Sequence, residues 1–222
     1  LGERAYLAGN DGEPGAGPMK VGPSIVDYMT GMNTSIGILS ALYHRDANGG
    51  EGQHVDVCLF DTVIASLSHW LQIYLVNGQT PPRRGTWGNG GMPAGVFRCT
   101  DGELMLVVGN DGQFVRTCAV LGAPELATDP RFVKNNDRVV HGKEIMAIFA
   151  GLFLKKPMAY WLDELEKAGV PSGPINSFEQ VFADPHVQSR GMKIKVNHPF
   201  EPELAMIRNP LTFSGTPIKN YK

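Results

Sequence analysis

Cysteine is scarce in this 222-residue chain, neither sign of charge dominates, and no apolar run is long enough to cross a bilayer. Cys58, Cys99 and Cys118 stand apart with no C-x-x-C spacing, a pattern that suggests neither a disulfide framework nor a zinc site and leaves a reducing cytoplasm as the default. No bound metal is expected. A formal net charge of −2 provides no basic footprint for nucleic acid or for an anionic membrane surface. The opening LGERAYLAGNDGEPGAGPMKVG has no initiator methionine, no basic-plus-apolar signal pattern and no transit-peptide character. What the chain does have is ordinary apolar content, 42% of residues, and 27 glycines, enough to build a core in one or two globular domains.

The segment from Val21 to Asp61 organises the rest. Met29, Met32, Ile36, Leu39 and Tyr43 recur at steps of three and four, the spacing of one buried helical face, so a helix over about residues 28–45 starts at or next to Asp27. An aspartate there accepts hydrogen bonds from free backbone N–H groups and sits at the positive end of the helix dipole. Position alone therefore makes Asp27 an N-cap. Asp46–Gln53 carries the residues of a left-handed C-terminal cap, and His54–Phe60 alternates as a strand with a buried face. Asp61 repeats the capping pattern for a helix over 62–76. His69 lies in that helix and is read as a structural or surface residue outside the site. Strand and helix in alternation give an α/β arrangement.

Composition changes at Asn77–Met92, where two prolines and two arginines precede four glycines between Gly85 and Gly91. This stretch is a flexible linker or a mobile loop. It lacks the Lys-Ser/Thr ending of a P-loop, and it does not join a strand to a helix as a dinucleotide fingerprint does. Gly95–Cys99 and Glu103–Val108 flank Thr100-Asp101-Gly102, a hairpin signal in which glycine supplies a positive φ. Helices are expected over 113–121, 142–153 and 157–168, the last with Pro157 in its first turn and Tyr160, Trp161 and Leu165 in the core. Residues 170–176 are extended, 178–183 form a helical turn and 192–196 a strand. A loop with a short strand closes the chain.

Taken in order, Asp27-Tyr-Met-Thr-Gly31, GILSALYHR, the turn ending Gly52-Gln53, HVDVCLFD, TWGNGGMPAG, PELATDPRF and AGVPSGPINSFEQVFADPHVQSRGM resemble the class III CoA-transferases. That family includes formyl-CoA transferase, carnitine CoA-transferase and the bile-acid-inducible F type. The resemblance implies that Asp27 is the catalytic nucleophile as well as a cap, and that Gly88, Asn89, Gly90 and Gly91 occupy the place of a glycine loop that shields the covalent intermediate. Asn89 departs from the all-glycine loop of formyl-CoA transferase. The implied fold is part of a Rossmann-like large domain plus a smaller α+β domain, in a homodimer of interlocked rings. Residues 1–77 then belong to the large CoA-binding domain, 78–190 form the small domain, and 191–222 return to the large one. By the same comparison the chain begins partway through the family sequence and lacks the N-terminal half.

The implied reaction moves CoA from an acyl-CoA to a carboxylic acid through an aspartyl-CoA thioester. CoA thioester is the substrate and no cofactor is held permanently. Covalent catalysis of this kind divides one difficult exchange into easier steps. Two alternatives remain open. One is the related α-methylacyl-CoA racemase branch, in which the aspartate is an acid/base group; D-x-x-T-G here is closer to the transferase form than to the racemase D-x-x-G-G. The other is a fragment that packs without chemistry of its own and associates with itself through exposed apolar faces.

Overall fold

The structure is a computed structural model that describes residues 22–88 and 90–218. In chain order it has α1 (Ile25–Ala47), α2 (Leu59–Leu67), α3 (His69–Asn77), β1 (Ala94–Arg98), β2 (Glu103–Val107), α4 (Asp111–Val120), a 3-10 turn (Pro124–Ala127), α5 (Asn135–Val140) and α6 (Gly142–Phe153). It continues with α7 (Met158–Lys167), β3 (Ser172–Pro174), α8 (Phe178–Ala183), α9 (Pro185–Ser189), β4 (Lys193–His198) and β5 (Glu201–Ile207). The strands make two antiparallel sheets, one ordered β1-β2-β3 and the other a β4-β5 hairpin.

The core is built between β1, β2 and the helices that follow. Leu104 and Leu106 point from alternate positions of β2 into it, and Ile145, Met146, Phe149 and Phe153 present the inward face of α6 at helical spacing. Phe97 lies 4.9 Å from Phe153, which meets Trp161 edge-on at 5.4 Å, and the Trp161 indole N–H donates to the Phe153 carbonyl at 2.8 Å. Each such side chain contributes roughly 1.5–3 kcal/mol on burial. Trp161 and Leu165 are therefore core residues as expected, whereas Tyr160 turns outward and is exposed.

The expected hairpin forms with the register Ala94↔Val107 to Arg98↔Glu103, but for a different reason. Gly102 does not take a positive φ. A Cβ there would meet the Met158 sulfur at 3.3 Å, so glycine lets the turn sit on the start of α7, where Asp101 Oδ1 accepts the Met158 N–H at 2.7 Å. The cap of α7 thus comes from the hairpin. Pro157 is its N-cap residue and lies just outside the first turn.

Departures from the sequence pattern concentrate before residue 80. The segment 51–58 is not a strand, because a strand forms only by pairing and no described residue pairs with it. It lies against α1, where a Cβ on Gly37 would come within 2.9 Å of Val55. The expected single helix over 62–76 is two, bent by 75° at Ser68, whose φ is 45°. Both Asp27 and Asp61 occupy the third position of their helices, not the N-cap. The apolar face of α1 is not buried among the described residues: Met32 is 65% exposed and Tyr43 77%. The C-terminal end of α1 closes as its residues imply, with Gly49 and Gly50 at positive φ and the Gly50 N–H donating to Arg45 O at 2.7 Å.

In the later segments, motif residues serve as helix grammar. Ser177 and Gln180 close a reciprocal capping box on α8, and Asp184 caps α9 ahead of Pro185. Among the described residues no single helix is long and apolar enough to cross a membrane.

Candidate active site

Two parts of the expected site are described separately by the structure. Asp27 is exposed in the first turn of α1, and its carboxylate makes no hydrogen bond or ion pair among the described residues. The helix start is consequently capped by nothing from the side chains: Ser24 also donates and accepts no capping bond. No hydrogen bond or ion pair joins Asp27 to the glycine loop among the described residues. Asn89 lies outside the described residues.

Gly88, Gly90 and Gly91 are glycines for three different reasons. A Cβ on Gly88 would lie 2.9 Å from the Ala94 Cβ, and the Gly88 N–H bonds Ala94 O at 3.0 Å, closing the loop at its base. Gly90 has φ +117°, a backbone region that L side chains rarely adopt, with open space where a Cβ would be. Gly91 is wedged against the carbonyl of Val108, which a Cβ would strike. Gly91→Ala is expected to lower stability by about 1–3 kcal/mol through this overpacking. Gly173→Ala, where a Cβ meets nothing, serves as the comparison in a urea titration.

A polar cluster under the loop was not singled out from the sequence. The Asn135 amide donates to Gly90 O at 2.6 Å and its Oδ1 accepts the Met92 N–H at 3.0 Å. Arg138, fully buried, donates through Nε to Met92 O at 2.6 Å, through a second nitrogen to Phe132 O at 2.8 Å, and through a third to Asp111 Oδ1 at 2.9 Å. Its guanidinium also lies over the Phe114 ring at 4.3 Å. Read locally, KNNDRVV is a polar run of a solvated surface, and nothing in its spacing marks an arginine for burial.

The hydrogen bond from Arg138 holds the Asp111 carboxyl below its ordinary value of 3.8, assisted by the charges of Arg138 and Lys134 and opposed by partial desolvation. Because the folded value is depressed, the ionised aspartate stabilises the fold fully above the ordinary value, and that contribution is lost as pH falls through the folded value. Urea midpoints of the parent and of Asp111→Asn should therefore differ at neutral pH and converge below pH 3.8. The cysteine thiols in the same core are set the other way: burial pushes Cys118 up to about 12 and Cys99 up to about 11, so neither is a nucleophile. Among the described residues no group of His, Cys, Asp and Glu could hold a metal ion.

The family model for CoA-transferase family III matches residues 4–222, and the chain belongs to that family. It is 39% identical over 208 residues to a succinate–glutarate CoA-transferase of Agrobacterium fabrum, covering 94% of this chain and 52% of that protein. It is 38% identical to an acetyl-CoA:oxalate CoA-transferase of Acetobacter aceti, covering 92% of this chain and 51% of the relative. The chain thus spans about half the length of these relatives. A CAIB/BAIF family protein of Brucella suis superposes with a TM-score of 0.75 at 36% identity, over 98% of this chain and 56% of that one. A Mycobacterium tuberculosis protein has the same fold at 20% identity, with a TM-score of 0.80 over 97% of this chain and 55% of that one.

Proposed function

We propose that this chain carries the nucleophile and the glycine loop of an enzyme that transfers CoA from an acyl-CoA to a carboxylic acid. The observation that carries the reading is the exposed carboxylate of Asp27, without a hydrogen bond or ion pair among the described residues, in a chain belonging to CoA-transferase family III. A nucleophile must be reachable and not already committed to another donor.

In the proposed sequence an Asp27 oxygen adds to the donor thioester carbonyl, and the C–S bond breaks to give a mixed anhydride and CoA thiolate. The thiolate adds to the aspartyl carbonyl, releasing the donor acid and leaving an aspartyl-CoA thioester. The acceptor carboxylate then displaces thiolate from that carbonyl to form a second anhydride. Attack of the thiolate on the acceptor's acyl carbon yields the product thioester and restores the Asp27 carboxylate. Electrons and atoms balance without a metal or redox partner.

Each addition places negative charge on an acyl oxygen, which preorganised N–H donors stabilise best. In the loop, the N–H groups of Gly88 and Met92 are spent on Ala94 O and Asn135, whereas those of Gly90 and Gly91 make no hydrogen bond among the described residues. We assign Gly90 and Gly91 as oxyanion donors and the Gly88–Gly91 loop as the shield that keeps water from the intermediate. Since the relatives are named for succinate, glutarate and oxalate, short dicarboxylates are the proposed acids.

The same reading assigns residues 1–77 and 191–222 to a Rossmann-like CoA-binding domain and 78–190 to the small domain, in a cytoplasmic homodimer. In its support, the continuous core lies between Met92 and Val170 and the three cysteines are free. The apolar face of α1 is open for an interface or for further chain. Sedimentation of the complete protein at the mass of a dimer is expected; a monodisperse monomer rejects the homodimer.

The deciding experiment incubates the complete protein with acetyl-, succinyl- and oxalyl-CoA, adds hydroxylamine, and maps adducts by peptide mass spectrometry. A hydroxamate on Asp27 is expected. No adduct with any donor, together with α-proton exchange on a branched acyl-CoA, would replace the transferase reading by the racemase one.

A further inference from the structure

We propose that Asn135 is a positioning residue that aims the Gly91 N–H by gripping the peptide on its other side. The carbonyl of Gly90 and the N–H of Gly91 belong to one planar trans peptide and point in opposite directions. A donor that fixes Gly90 O therefore fixes the heading of the Gly91 N–H. Asn135 is that donor, at 2.6 Å, the first residue of α5 and remote from the loop in sequence.

The grip is held from three sides. The Asn135 Oδ1 accepts the Met92 N–H at 3.0 Å, so one side-chain amide spans Gly90 and Met92 with each atom matched to its partner. Exchanging its O and N would set acceptor against acceptor and donor against donor, so the neighbours determine its orientation. The Asn135 backbone N–H donates to Asp111 Oδ1 at 3.0 Å, the same oxygen that receives Arg138 at 2.9 Å. Arg138, three residues along α5, takes Met92 O at 2.6 Å, so both polar backbone groups of Met92 are held from one helix. Gly91 is lodged against Val108 O, and the Asn135–Gly90 bond is the hydrogen bond that holds the Gly90–Gly91 peptide plane among the described residues.

Asn135→Asp separates the two halves of the grip. A carboxylate still accepts the Met92 N–H but opposes the Gly90 carbonyl, so the peptide plane turns while the root of the loop stays. Asn135→Ala removes both bonds. The inference rests on Gly91 being an oxyanion donor, and two readouts on the complete protein separate it from that reading.

With succinyl-CoA and glutarate, Asn135→Asp is expected to lower kcat by about tenfold or more with the KM for succinyl-CoA within about twofold of the parent. Hydrogen exchange at the Met92 amide should remain as slow as in the parent for Asn135→Asp and become about tenfold faster in Asn135→Ala. The Val108 amide, bonded to Pro93 O, should be unchanged in both and reports any global loosening. A kcat for Asn135→Asp within twofold of the parent overturns the aiming role, as does a fall in kcat accompanied by faster exchange at Val108. If the parent itself transfers no CoA, the proposed function fails, and equal Met92 exchange in the parent and Asn135→Ala then overturns the grip on its own.

Discussion

Asp27→Asn is expected to lower CoA transfer by roughly three orders of magnitude or more while leaving stability within about 0.5 kcal/mol of the parent. The two expectations come from the same observation. An exposed side chain with no hydrogen bond or ion pair among the described residues contributes little to the folded state, so removing its charge removes almost nothing but reactivity. An amide oxygen does not add to a thioester at a useful rate, and every later intermediate depends on that first bond. Asp61→Asn provides the control, because Asp61 holds the same third position in α2 and is likewise exposed. If helix-terminal charge alone were responsible, the two substitutions would act alike. Transfer, hydroxylamine trapping and urea midpoints measured on the complete protein distinguish the cases: activity lost only in Asp27→Asn supports the nucleophile, and residual transfer above a few per cent in Asp27→Asn rejects it.

The largest effect on stability is expected at Arg138. Its guanidinium is fully buried, and it serves the carbonyls of Met92 and Phe132, the carboxylate of Asp111 and the face of Phe114. Arg138→Met should cost about 3–5 kcal/mol, since it orphans those carbonyls where water does not replace the lost donors. That is a large share of the roughly 5–15 kcal/mol by which domains are stable. Lysine keeps the charge but cannot reproduce a planar fork reaching several acceptors, so Arg138→Lys is expected to restore less than half of the loss. Adding Asp111→Asn to Arg138→Met should cost less than the separate effects combined, because the pair shares one interaction. Urea titration of the four proteins gives the coupling directly, and strict additivity would show that Asp111 and Arg138 act independently.

Much of the stretch from Ala94 to Ala183 was legible because its elements announce themselves locally. The 142–153 helix appears with the boundaries its apolar spacing implies, and the 94–107 hairpin appears around its four-residue turn. Phe178–Ala183 follows from a capping box written in Ser177 and Gln180. Periodicity failed where an element depends on a neighbour. Residues 54–58 alternate like a strand but pair with nothing described, and the α1 face spaced for burial stands open. The break at Ser68 had no glycine or proline to mark it.

Residue type and local order were enough for the family, for a helix beginning beside Asp27, for the run of glycines and for the absence of a C-x-x-C site. Tertiary structure alone decided why each glycine is needed and what lies beneath the loop. Whether a glycine answers to positive φ, to the carbonyl of a residue distant in sequence or to a neighbouring methyl depends on what the fold brings near it. Asp111, Asn135 and Arg138 likewise acquire their role only when α4 and α5 are laid against Met92, because burial and hydrogen-bond partnership belong to the assembled backbone and leave no periodic trace in the chain.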